Sequence, residues 1–263
     1  VIPACCWGIL AGAHPQTALD VPVVHTAFAT GGAMASGVRA ALDMRGDTET
    51  TVMVWAGDGG TFDIGFQALS AAVERNENIL YVCYDNEAYM NTGVQRSSAT
   101  PPAARTNTTM PVGPSTGARF GQGKNLPAIA MAHEIPYVAT ATVAQLRDLE
   151  AKVRRAMEFR GSRYIHIMVP CPLGWGHGSE QTIHIARLAH ETGLFPVFEA
   201  EHGEVTSVSK IRRKRPVEDY LKPQTRFAHL FREPRRDDII EQIQQAADRN
   251  IQRYGLLEQE AAP

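Results

Sequence analysis

Asp58 and Asn86 are the side chains in this sequence whose types and spacing best suit a chemical site. Asp58 sits inside Gly57-Asp58-Gly59-Gly60, and the 26 residues from Gly60 to Asp85 separate Gly57-Asp58-Gly59 from Asn86. Aspartate offers a hard anionic oxygen and asparagine a neutral amide oxygen. With a backbone carbonyl, waters and phosphate oxygens, such a pair completes the octahedron of Mg²⁺. Glycines around the aspartate let backbone N–H groups come close to phosphates. The combination points to a divalent cation carrying a diphosphate. Gly-Asp-Gly alone would say no more than a tight strand-to-helix turn, and the second half at this spacing is what raises it above that.

The flanking residues must bring these two side chains together. Val52 to Ala56 is an apolar run that reads as a strand. A helical pattern follows, with Phe66, Leu69, Ala72 and Val73 on one face, and then a second apolar run from Ile79 to Tyr84. Strand, turn, helix, strand in a right-handed crossover leaves the loops after both strands on the same edge of a parallel sheet. Asp58 and Asn86 are therefore expected to face one ligand.

Gly57-Asp58-Gly59 with Asn86 at this distance resembles the thiamine diphosphate (ThDP) signature. The words that follow, Glu87-Ala88-Tyr89-Met90-Asn91-Thr92-Gly93, resemble the β subunit of the 2-oxo acid:ferredoxin oxidoreductases, the pyruvate:ferredoxin oxidoreductase family. The resemblance implies ThDP and Mg²⁺ as cofactors, with Asp58, Asn86 and the Ala88 carbonyl on the metal. It implies Gly57, Gly59, Gly60, Tyr89, Asn91, Thr92 and Gly93 around the cofactor, with Asn91 near the reacting carbon. A turn residue satisfying local backbone groups is the plainer account of Asn91. No residue here is a clear candidate for the carboxylate beside the aminopyrimidine, so the resemblance assigns it to an α subunit. His25 lies near the end of a short strand candidate, Val21 to Thr26, and two roles stay open: contact with the substrate carboxylate or cofactor, and a satisfied core histidine.

The same family carries a 4Fe–4S cluster in this subunit. Its third cysteine precedes a His-x-x-Phe segment and its fourth lies in a Pro-Cys-x-x-Gly-Trp turn. Cys6, ahead of His25-Thr26-Ala27-Phe28, and Cys171, in Pro170-Cys171-Pro172-Leu173-Gly174-Trp175, match them. Two cysteines cannot hold four irons. The family's Cys-x-x-Cys is absent from the sequence, and it is expected upstream of Val1. Cys83, inside an apolar strand, and Cys5 read as packing residues, with a register exchange between Cys5 and Cys6 left open.

The implied activity is decarboxylation of a 2-oxo acid on ThDP, with electrons passing through iron–sulfur clusters to ferredoxin or another acceptor and the acyl group going to coenzyme A. Further iron–sulfur subunits are implied partners. Gly8 to Pro15 holds small residues where pyruvate-type members carry aromatics, leaving room for a bulkier acid such as an aryl glyoxylate. A ThDP decarboxylase or carboligase without redox function and a non-catalytic scaffold subunit are the competing readings. The former usually brings its own pyrimidine domain in a much longer chain.

The remaining sequence fits an α/β fold, a mostly parallel sheet with helices on both faces and an extended C-terminal tail. Gly31 to about Met44 is a small-residue helix. Residues 97–125 form a long polar loop, read as a lid or subunit contact. Leu126 to His133, Val143 to Phe159, Thr182 to Glu191 and Asp237 to Tyr254 read as helices, and Tyr137 to Ala141, Tyr164 to Val169 and Val197 to Ala200 as strands. Residues 1–195 are taken as the ThDP-binding domain with cluster ligands, and 196–263 as a tail that wraps this or a partner subunit. At 44% hydrophobic and 21% charged with a net charge of −2, the chain gives no electrostatic reason to expect nucleic acid as partner. The run from Lys210 to Arg215 reads as a solvated face. No apolar run spans a bilayer and no signal-like start is present, so a cytoplasmic location is the default expectation. Four cysteines, two adjacent, suit thiols or metal ligands better than a disulfide framework.

Overall fold

In the computed structural model, which describes residues 1–4, 19–118 and 123–258, seven strands form one sheet. They are β1 (Ile2–Pro3), β2 (Val52–Gly57), β3 (Ile79–Asp85), β4 (Tyr137–Thr142), β5 (Arg163–Met168), β6 (Phe198–Glu201) and β7 (Glu204–Val208), in spatial order β1-β2-β3-β5-β4-β6-β7. The first five are parallel, and β6 and β7 add an antiparallel edge. The fold is therefore the mostly parallel α/β sheet expected.

Alternation along the central strands shows why both faces need cover. Ile79, Tyr81 and Cys83 of β3 join Val52, Val54 and Ala56 of β2 in one core, against helices α1 (Gly31–Met44) and α2 (Phe66–Glu74). Leu80 and Val82 point the other way, with Tyr137, Ala139, Ile165 and Ile167, against Leu149, Val153 and Ala156 of α4 (Leu146–Glu158). Between α2 and α4 lies the short helix α3 (Leu126–Met131), whose start is capped by Asn125 accepting from the Ala128 N–H at 3.1 Å.

After β5 come the single turn α5 (Pro172–Trp175), then α6 (Thr182–Glu191), α7 (Val217–Leu221), a 3₁₀ stretch Thr225–Phe231 and α8 (Asp237–Tyr254). Helix α8 begins on Asp237 and Asp238 and ends on Gly255 with φ 57°, the charge and C-cap expected of its two ends. Residues beyond 196 join the main sheet through β6. They also build a second core in which Trp175, Ile185 and Leu188 meet Tyr220, Phe227 and Ile243.

Two local expectations fail. Val21 to Thr26 is not a strand. Val24 and Thr26 donate backbone hydrogen bonds to Val1 and Pro3 at 3.0 and 3.4 Å, but β1 is two residues long and offers no further ladder. Strand β7 has no counterpart in the sequence reading. It folds back on β6 through His202 and Gly203, both at positive φ, as a tight hairpin turn requires. Among the described residues no helix is long and apolar enough to cross a membrane.

Candidate active site

The carboxyl ends of β2 and β3 lie side by side, with Gly57 in register with Tyr84. Asp58 follows β2 directly and is 2% exposed. A wide helical turn, Gly59–Ile64, carries the chain from there into α2. Thr61 Oγ1 donates to the Gly57 carbonyl at 2.7 Å and ties this turn to the strand end. Gly59 is required by a close approach, because a Cβ there would lie 2.4 to 2.7 Å from the Tyr89 ring. Gly60 backs onto the carbonyls of Ala4 and Phe28.

The loop after β3 supplies the other half. As placed, the Asn86 amide oxygen is 2.9 Å from the Ala88 carbonyl oxygen and 3.1 Å from Asp58 Oδ1. Turned over, the amide would donate to both; in this orientation three oxygens face one another, an arrangement that a cation satisfies. Adjacent ligands of an octahedral ion with bonds of about 2.1 Å stand about 3 Å apart, so both distances from the Asn86 oxygen are those of neighbouring Mg²⁺ ligands. Burial raises the Asp58 carboxyl well above the ordinary range, and the neighbouring Asp85 carboxylate raises it further. A cation bound between these groups reverses that bias. The residues present thus fit the metal that the motif implies, although no cluster of three or more His, Cys, Asp or Glu exists among the described residues.

A cavity of about 330 Å³ opens beside these oxygens. Its lining includes His25, Gly57, Asp58, Gly59, Asn86, Ala88, Tyr89, Asn91 and Thr92, so the structure brings together most of the residues singled out from the sequence. Tyr89 is half-buried over Gly59, its hydroxyl 3.3 Å from the Gly59 carbonyl, and it packs against Phe28 at 5.8 Å between ring centroids. Burial, with the Asp63 carboxylate behind it, pushes the Tyr89 hydroxyl up to about 12. Asn91 and Thr92 are exposed at the tip of a small hairpin closed by the paired backbones of Tyr89 and Gln95. His25 is exposed at the rim. Gly60 and Gly93 stand outside the lining; Gly93, at φ 114°, turns the hairpin.

Several supporting residues were not singled out from the sequence. Ser97 Oγ donates to Asp58 Oδ2, and Ser98 donates to Asp63 through its hydroxyl and through its N–H at 2.9 Å. Thr100 Oγ1 donates to the Glu87 carbonyl at 2.6 Å. The start of the long polar loop thus grips the turns that carry Asp58 and Glu87 from behind. The hydroxyl run Ser97-Ser98-x-Thr100 was the available signal. Beneath it, Asp85 accepts the Glu87 N–H at 2.7 Å and lies 2.9 Å from His166 Nε2.

Cys171 caps the short helix α5, its Sγ accepting the Gly174 N–H at 3.4 Å, and it is half-buried. Cys6, like Cys5 and the stretch from Gly8 to Pro15, lies outside the described residues. Cys83 is fully buried in β3, and burial pushes its thiol up. The Cys171 turn packs onto the loop after β3: Trp175 Nε1 donates to the Asn86 carbonyl at 2.8 Å.

Comparison with known proteins bears on the family. The model of the thiamine pyrophosphate enzyme C-terminal TPP-binding domain matches residues 5–167. Pyruvate synthase subunit PorB of Methanosarcina barkeri is 47% identical over 97% of this chain and 86% of its own length. Ketoisovalerate oxidoreductase subunit VorB of Pyrococcus abyssi is 45% identical over 89% of this chain and 77% of its own. Among solved structures, a 2-oxoglutarate:ferredoxin oxidoreductase from Magnetococcus marinus superposes with a TM-score of 0.55 at 28% identity. That match covers 65% of this chain and 53% of that one.

Proposed function

This chain belongs to the β-subunit family of the 2-oxo acid:ferredoxin oxidoreductases, and from that premise we propose how its residues divide the work of the enzyme. The reaction is decarboxylation of a 2-oxo acid with transfer of electrons to ferredoxin or another acceptor and of the acyl group to coenzyme A. The observation that supports the site assignment is the Asn86 amide oxygen facing both Asp58 Oδ1 and the Ala88 carbonyl at the spacing of Mg²⁺ ligands. ThDP, when bound, supplies the carbon nucleophile and electron sink that this chemistry needs.

Asp58, Asn86 and Ala88 would hold the Mg²⁺ that carries the cofactor's diphosphate. Ser97 occupies Asp58 Oδ2, which favours the anion and leaves Oδ1 for the metal. Asn91, on the cavity rim, is assigned to the reacting carbon, and His25 to the substrate carboxylate. Val21, Val24 and Phe28, 50%, 43% and 37% exposed, form an apolar margin near His25. That margin supports an α subunit closing the site and bringing the missing carboxylate.

Cys171 and Cys6 are assigned to a 4Fe–4S cluster whose other two thiolates come from a Cys-x-x-Cys outside this sequence, with further iron–sulfur subunits beyond it. The N–H of Gly174 on Cys171 Sγ supports an iron ligand there, since hydrogen bonds to the ligating sulfurs are among the contacts that tune such clusters. A cytoplasmic location completes the reading.

The substrate is pyruvate by likeness to the Methanosarcina relative, and the small residues from Gly8 to Pro15 favour a bulkier acid as the second reading. The purified complex, offered pyruvate, 3-methyl-2-oxobutanoate and phenylglyoxylate with coenzyme A and a viologen dye, decides between them. Carbon dioxide and acyl-CoA in equal amounts, with two molecules of the one-electron dye reduced for each, are expected with one of these. Carbon dioxide released without dye reduction would overturn the redox assignment.

A further inference from the structure

Glu87 sits between the two neutral metal ligands, Asn86 and Ala88, with φ 64°. The left-handed region is costly for a residue with a Cβ, and such a conformation persists where surroundings hold it. All three handles of Glu87 are held. Its N–H donates to Asp85 Oδ1 at 2.7 Å, its carbonyl accepts from Thr100 at 2.6 Å, and its carboxylate lies 2.6 Å from Arg226 Nη2. The last contact is an ion pair by distance, set off the direction of a well-aligned hydrogen bond. Both partners are buried, Glu87 at 8% and Arg226 at 4% exposure.

Arg226 is itself fixed from several sides. Its Nε donates to Gln224 at 2.8 Å, and its Nη2 donates to the Tyr220 hydroxyl at 3.1 Å. Its guanidinium carbon lies 3.8 Å from the centre of the Trp175 ring. Trp175 in turn donates to the Asn86 carbonyl. One arginine from the C-terminal segment therefore reaches the metal loop by two routes, directly through Glu87 and through the Trp175 indole.

We propose that Arg226 is a positioning residue: by clamping Glu87 and backing Trp175 it keeps the Asn86 amide and Ala88 carbonyl at metal-ligand spacing, and so sets the affinity for Mg²⁺ and the ThDP diphosphate. This rests on the assignment of the cation site made above. Without the clamp, the left-handed loop relaxes and the two neutral oxygens no longer converge on Asp58. Arg226 touches neither cofactor nor substrate, so its removal raises the Mg²⁺ needed for binding more than it lowers turnover once both cofactors saturate.

The test uses the whole complex, stripped of cofactor by a chelator and titrated with ThDP by calorimetry at a series of Mg²⁺ concentrations. Arg226→Met alone leaves a buried carboxylate without its partner and is prone to misfold. The decisive variant is therefore the pair Glu87→Gln with Arg226→Met, which removes both charges. Its Mg²⁺ concentration for half-maximal ThDP binding is expected to rise about tenfold, as for loss of an outer-shell partner, with binding restored by excess Mg²⁺. A wild-type Mg²⁺ dependence in this variant overturns the clamp, provided that Asp58→Ala has lost binding. Normal binding in Asp58→Ala overturns the cation-site assignment itself.

Discussion

The loops after β2 and β3 and the turn after β5 lie at the same edge of the sheet and touch through Trp175, yet they stand differently as sites. The first pair brings a carboxylate, an amide and a carbonyl to one point within this chain. The turn after β5 presents a single thiol, with no cluster of metal-binding side chains around it among the described residues. The contrast follows from the chemistry. A cation on a diphosphate takes most of its oxygens from phosphate and water, so three protein ligands suffice. A four-iron cluster takes its terminal ligands from thiolates, so one cysteine is a quarter of a site.

The largest expected effect separates the two. Asp58→Ala removes the anionic ligand, and ThDP affinity in the complex should fall by more than about 100-fold in calorimetric titration, while the iron content stays at the wild-type value. Next, Cys171→Ser should remove one cluster's iron and its paramagnetic signal with ThDP affinity unchanged, whereas Cys83→Ser leaves both alone. Loss of both cofactors in either variant would break the separation.

Smaller effects sharpen the first site. Asn86→Ala should weaken ThDP binding about tenfold, since water replaces a neutral ligand. Ser97→Ala should cost a few-fold, visible as a higher Mg²⁺ requirement. A weakening in Ser97→Ala equal to that of Asp58→Ala would mean that the serine acts on the fold and not on the carboxylate.

The smallest effect is remote from both sites. Burial holds the His190 imidazole below its ordinary range. A depressed folded pKa means that the unfolded chain binds the proton first, so stability is full above about pH 6.5 and declines as pH falls through the folded value. Denaturant midpoints between pH 7 and pH 5 should therefore fall less steeply in His190→Gln than in wild type.

Local pattern made much of this legible. Helices Thr182–Glu191 and Asp237–Tyr254 have the bounds that periodicity and flanking residues indicate. The spacing from Asp58 to Asn86 could be read because a strand, helix, strand unit fixes where its loops open. Strand β7 was hidden because Glu204–Val208 is mostly exposed on an edge and carries little apolar alternation. The contact between Glu87 and Arg226 spans about half of the chain, and neither residue has a local pattern that announces the other. Ser97 was hidden for a gentler reason: the loop was recognised as functional, but its hydroxyls gain meaning only once Asp58 is known to turn toward them.

Asp58 Oδ1, the Asn86 amide oxygen and the Ala88 carbonyl are proposed to form one face of a cation site. Crystals of the complex grown with ThDP and Mn²⁺ in place of Mg²⁺ test it most directly, by the anomalous scattering of manganese. The account predicts a single strong peak about 2.2 Å from Asp58 Oδ1, the Asn86 amide oxygen and the Ala88 carbonyl, with diphosphate oxygens completing the shell. A manganese peak elsewhere, with the Asn86 amide turned to donate its N–H₂ to Ala88 and Asp58, would contradict it.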